Sequence, residues 1–188
     1  MNAITPFKDV KTGVWFTEGI MDAVKEGYFS GMTPDTFQPS GNLTRAQFVL
    51  VLAKIDGVDL TKYQNKTTPF KDVIKGAWYA PAVAWAYENG YTGGMSADTF
   101  GTTNNITREQ LARFFYVYAE KNGIDTTGRA DLSAFTDAGK ISSWAKDCVA
   151  WAVDCGLISG MTPTTIGPRG NATRAQAARI CVSFGKLI

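Results

Sequence analysis

Three arginines stand where this chain could best hold an anion: Arg45, Arg108 and Arg174, each one residue after a threonine that opens a helix signature. The tetrads are Thr44-Arg45-Ala46-Gln47, Thr107-Arg108-Glu109-Gln110 and Thr173-Arg174-Ala175-Gln176, each ahead of an apolar run. Thr followed three residues later by Gln is a capping box, in which the hydroxyl accepts from the Gln N–H and the Gln side chain reaches back to the Thr N–H. A cation at the first helical position opposes the helix dipole at a cost of roughly a few tenths of a kcal/mol, and the chain accepts this three times. Beside free N-terminal N–H groups, a guanidinium makes a site for a carboxylate or phosphate. The alternative is that each Arg pairs with an Asp or Glu of its own chain.

The remaining chemistry is sparse. There is no histidine, which removes the commonest general base and metal ligand. Cys148, Cys155 and Cys181 have neither disulfide-framework nor zinc spacing and read as small hydrophobes. No nucleophile motif, metal cluster or cofactor fingerprint appears, so the expectation is a non-enzyme with no cofactor and no metal. Asp9 and Asp72 lie a full unit apart, with nothing to make them an acid/base pair. A net charge of +2 with no dense basic run argues against nucleic-acid and membrane-surface binding. No apolar stretch approaches the ~18 residues of a membrane span. Residues 1–8 have no apolar signal-peptide core, so any export signal is expected to be missing from this sequence.

The elements that must position the arginines are one unit written three times. Pro6-Phe7-Lys8-Asp9-Val10 returns as Pro69-Phe70-Lys71-Asp72-Val73 and, more loosely, as Ala134-Phe135-Thr136-Asp137-Ala138. Trp15, Trp78 and Trp144 follow, then Gly27, Gly90 and Gly156, then the Gly-Met pairs at Gly31, Gly94 and Gly160, then the Thr-Arg boxes. Each unit reads as helix, loop, helix, with boundaries placed at 1–62, 63–128 and 129–188. The first helices are expected over Trp15 to Glu26, Trp78 to Asn89 and Trp144 to Cys155, with Gly27 as a left-handed C-terminal cap. The second carry Phe48, Val51, Leu52 and Ile55, then Leu111, Phe114, Phe115 and Tyr118, then Ala177, Ile180, Cys181 and Phe184, each a stripe at i, i+3, i+4, i+7. Two helices cannot bury both stripes, so the three units should pack as one all-α body with approximate threefold symmetry.

Phe-x-Asp, Trp, a helix ending in Gly, a Gly-Met loop and Thr-Arg-Ala-Gln opening a second helix together resemble the S-layer homology (SLH) domain in three tandem copies, over about Ile4 to Phe184. The resemblance implies a pseudo-trimer with a central three-helix bundle and three lobes. It implies that grooves between lobes bind secondary cell-wall polysaccharide, frequently through a pyruvate ketal on N-acetylmannosamine, and hold exported proteins on the bacterial cell surface. Arg45, Arg108 and Arg174 would be the principal ligand contacts. Trp15, Trp78 and Trp144 would offer a flat face to the sugar or else lie in the core. Gly31, Gly94 and Gly160 would admit the ligand or serve turn geometry. Asp9, Asp72 and Asp137 would bond sugar hydroxyls or orient the arginines. Lys71, with Lys8 and Lys75, would add positive charge to a groove or be solvated.

This chain departs from the family pattern in ending its boxes on Gln rather than Glu. The third unit also has Thr136 where the others have Lys, so the three grooves should differ. The competing expectation is a self-association module that packs with surface-layer neighbours.

Overall fold

The computed structural model describes residues 5–188. Among them are six α-helices: α1 (Thr17–Lys25), α2 (Arg45–Asp56), α3 (Ala80–Glu88), α4 (Arg108–Lys121), α5 (Lys146–Asp154) and α6 (Arg174–Gly185). All three capping boxes are complete on both sides: the hydroxyls of Thr44, Thr107 and Thr173 accept from the Gln N–H, and their own N–H groups donate to the Gln side-chain oxygen. The first helices begin two residues later than their tryptophans suggest. Phe16, Tyr79 and Ala145 hold the N-cap positions and supply no capping side chain. The residues just ahead close single turns instead, with Thr17 N–H on the Val14 carbonyl, Ala80 on Ala77 and Ala145 on Ser142. The C-terminal ends follow expectation, with Gly27, Gly90 and Gly156 at φ of 74°, 71° and 73°.

Which helix packs on which follows a rule that the stripes do not encode. Each first helix lies on the second helix of the preceding unit: α3 on α2, α5 on α4, and α1 on α6. The three second helices meet through phenylalanines. Phe48 sits 5.3 Å from both Phe114 and Phe115, and Phe115 sits 4.3 Å from Phe184. Phe48, Phe115 and Phe184 are wholly buried.

Just ahead of α2, α4 and α6 the backbone closes a ring of hydrogen bonds. Leu43 donates to Ala172 (3.1 Å), Ala172 to Ile106 (2.9 Å) and Ile106 to Leu43 (2.9 Å). Two residues on, a second set runs in the opposite sense, since Arg45, Arg108 and Arg174 donate their backbone N–H to Asn104, Gly170 and Gly41. Ala46, Glu109 and Ala175 do the same to Thr102, Pro168 and Pro39. The first N–H groups of these helices, expected to be free for an anion, are therefore taken by the loop of the following unit. With the third N–H bound by the cap threonine, the helix dipole is met by protein carbonyls rather than left open.

Candidate functional site

Arg45, Arg108 and Arg174 are only 4–6% exposed. Each Nε donates to a backbone carbonyl of the following unit: Arg45 to Phe100 (2.9 Å), Arg108 to Ile166 (2.9 Å) and Arg174 to Phe37 (2.8 Å). Arg108 and Arg174 each use a terminal nitrogen as well, on Ser159 and Ser30. Aromatic faces complete two of the environments, with the Arg45 guanidinium 4.9 Å from the Phe100 centroid and that of Arg174 4.5 Å from Phe37. Burial pushes Arg45 down to about 10, partly opposed by the charge of Asp72. Arg108 and Arg174 are lowered by burial in the same way, with Asp137 and Asp9 opposing. Among the described residues, none of the three forms an ion pair with a carboxylate. Their hydrogen-bond partners are backbone carbonyl groups, and among the described residues no buried side-chain nitrogen is left without a partner.

Asp9, Asp72 and Asp137 hold those same loops from behind. Asp9 accepts from the N–H of Phe37 and Gln38, Asp72 from Phe100, Gly101 and Thr102, and Asp137 from Ile166 and Gly167. One residue per loop, Phe37, Phe100 or Ile166, thus gives its N–H to the aspartate of its own unit and its carbonyl to the arginine of the preceding unit. The next residue, Gln38, Gly101 or Gly167, turns with positive φ in all three loops. Each aspartate is thus linked to an arginine through one intervening peptide group.

Burial tends to raise the Asp72 carboxyl, but hydrogen bonds from Thr102, Phe100 and Gly101 outweigh it and leave it below the usual carboxylate range. A depressed native pKa means that the stabilisation is complete above the unfolded value near 3.9 and is lost as pH falls through the native one. Asp72→Asn should therefore lower stability at pH 7 and flatten its decline below about pH 4 in urea titrations. A variant whose acid limb matches wild type would show that Asp72 does not carry this linkage.

Two grooves open beside the arginines. The larger, about 610 Å³, is lined among others by Arg45, Met95, Gln110, Arg113, Phe114 and Trp144. The smaller, about 110 Å³, is lined by residues that include Trp15, Arg108, Gln176 and Arg179. In the repeat frame these are the same place: a Thr-Arg box arginine of one unit, the box Gln and an Arg three residues beyond it from the next, and a tryptophan from the unit after that. Trp15, Trp78 and Trp144 are 59%, 58% and 45% exposed, so none is a core residue.

The other predicted residues are placed differently. Gly94 lines the larger groove, but its φ of +81° and the approach of Phe70, whose Cε1 would stand 2.5 Å from an added Cβ, show what its missing side chain admits. Gly31 and Gly160 face Phe7 and Phe135 of their own units similarly. Lys71 pairs with Asp98 at 2.7 Å on the exposed surface. Lys71, Trp78, Arg174 and the three aspartates line neither groove.

Arg113 and Arg179 went unrecognised in the sequence. A signal existed, since both lie three residues after the box Gln where the first unit has Leu50.

A family model described as the S-layer homology domain matches residues 6–49, 69–112 and 134–178, and the chain belongs to that family. Among its relatives, an endoglucanase of Bacillus sp. (strain KSM-635) is 32% identical over 178 residues, which are 93% of this chain and 18% of the enzyme. A surface-layer 125 kDa protein of Lysinibacillus sphaericus is 29% identical over 174 residues, 91% of this chain and 14% of that protein. A cellulosome-anchoring protein of Acetivibrio thermocellus is 29% identical over 156 residues, 82% of this chain and 34% of that protein. The chain thus spans between about a seventh and a third of these relatives.

Proposed function

We propose that this chain is a non-catalytic cell-surface anchoring module that binds an acidic wall polysaccharide in the groove between Arg45, Arg113 and Trp144. The groove is the observation that carries the reading. Two guanidinium groups suit a carboxylate such as a pyruvate ketal, the exposed indole face suits the C–H surface of a pyranose ring, and Gln110 offers an amide to hydroxyls. Relatives named as an endoglucanase, a surface-layer protein and an anchoring protein share this segment, which supports attachment rather than catalysis as its contribution. On this reading the module works outside the cell, at the bacterial wall.

The test is calorimetric titration with purified secondary cell-wall polysaccharide before and after mild-acid removal of pyruvate ketals. Binding should fall by an order of magnitude or more without the ketal, and Arg113→Ala should weaken binding of the intact glycan roughly tenfold, about the worth of one charge-assisted contact. Between about pH 5 and 9 affinity should be flat, because Arg45, at about 10, stays protonated over that range. Equal affinity for both glycan samples would overturn the carboxylate mechanism. Absence of binding to either, with concentration-dependent oligomers, would favour self-association.

A further inference from the structure

The larger groove has a clasp that the smaller one lacks. Glu109, the second residue of α4, is 5% exposed and points its carboxylate at Ser142, whose backbone N–H donates to Oε2 (3.0 Å) and whose hydroxyl donates to Oε1 (2.9 Å). Ser142 stands just ahead of a short 3-10 turn over Ser143–Ala145, and the middle residue of that turn is Trp144. The turn is closed by the Ala145 N–H on the Ser142 carbonyl at 2.9 Å. Trp144 in turn lies over Arg113, whose guanidinium carbon is 5.8 Å from the ring centroid, and both line the groove.

The other units lack both halves of this arrangement. Ala46 and Ala175 occupy the position of Glu109. Gly13 and Gly76, two residues before Trp15 and Trp78, occupy the position of Ser142, with φ of +75° and +80° and open space where a side chain would be. Trp144 is correspondingly the least exposed of the three tryptophans.

We infer that Glu109 is a positioning residue: by holding Ser142 at both its N–H and its hydroxyl it fixes the Trp144 indole over Arg113 and so makes this groove the dominant binding site over the smaller one. The inference rests on the glycan reading of that groove for its functional half. Its structural half concerns the free protein alone. A preset indole saves an ordering cost that Trp15, which has Gly13 in place of the clasp, must meet when a ligand enters the smaller groove.

Two readouts separate these halves. In the free protein, the Trp144 indole N–H signal, identified by its loss in Trp144→Phe, should shift or broaden in Glu109→Ala and in Ser142→Gly. It should hold its place in Glu109→Gln, whose amide can still accept from the Ser142 N–H and donate to its hydroxyl. With the pyruvylated polysaccharide, Glu109→Ala should lose roughly tenfold in affinity, Trp144→Ala as much or more, and the double variant no more than Trp144→Ala.

Glu109→Ala copies the residue of the other two boxes. Should it not fold, Ser142→Gly removes the same clasp from the opposite side and carries the same expectation. An unmoved indole signal in either variant would overturn the positioning role. Additive losses in the double variant, or undiminished affinity in Glu109→Ala where Trp144→Ala loses it, would overturn its link to binding. If wild type bound no glycan, the proposed function would fall while the indole signal still decided what Glu109 does.

Discussion

Phe115→Ala should cost about 3–5 kcal/mol of folding stability, among the largest losses available to a single substitution here. Phe115 is wholly buried, with Phe48 edge-on at 5.3 Å and Phe184 at 4.3 Å, so its ring is shared by α2, α4 and α6 at once. Truncation removes the apolar area of one phenyl ring and leaves a void that three helices from three units would have to move together to fill. Close-packed interiors collapse only partly around such voids. Urea denaturation should show a lower midpoint with an unchanged slope. A loss under about 1.5 kcal/mol would mean that the three helices do not depend on this contact. Trp144→Ala is the internal contrast: nearly half exposed, it should change stability by less than about 1 kcal/mol while removing one wall of the groove.

Arg108→Ala should cost about 2–4 kcal/mol, although the residue carries a charge and opens a helix. Its Nε and terminal nitrogen satisfy the carbonyls of Ile166 and Ser159, which truncation leaves without these donors at the seam between the second and third units. Arg108→Lys should recover only part of the loss, because an ammonium on a flexible stem cannot reproduce the planar fork that reaches both carbonyls. Denaturation midpoints of the two variants measure this directly, and an unchanged midpoint in Arg108→Ala would show that other donors reach those carbonyls. Affinity lost on replacing a Thr-Arg box arginine therefore mixes damage to the seam with loss of a ligand contact. Arg113 and Arg179 line the grooves and hydrogen-bond none of those seam carbonyls, but Arg179 also packs on Gly19 of α1, so Arg113 reports on binding more cleanly.

Local chemistry was legible in the residues. The boxes at Thr44, Thr107 and Thr173 announce helix starts because donor and acceptor lie three residues apart, and the left-handed glycines announce helix ends. What the residues could not announce is partnership across distance. The stripes on α1 to α6 say that one face of each helix is covered, but the same stripe fits a neighbour in its own unit or in the preceding one, and the chain takes the latter. The fate of the box arginines was hidden for a related reason. Their partners are backbone carbonyls 55, 58 and 137 residues away, and a carbonyl has no letter in the sequence. Glu109 differs from this in being visible as the one acid among three boxes. Its meaning appeared only once Ser142 lay against it.

The seating of α1 on α6 has a consequence for how the chain reaches this state. Two of the three inter-unit seams join neighbours in sequence, but the third joins Arg174 to Phe37 and Ser30 across 137 and 144 residues. Loop closure at that span costs only about 0.6 kcal/mol more per doubling of length, so the finished body is hardly penalised. Time is affected more than stability, because contacts of high sequence separation form late and slow the search. Until the final helix is in place, the apolar face of the first has no mate and the ring of Leu43, Ile106 and Ala172 stands open. Docking of α1 thus waits on the last helix, whereas α3 on α2 and α5 on α4 need only neighbours in sequence.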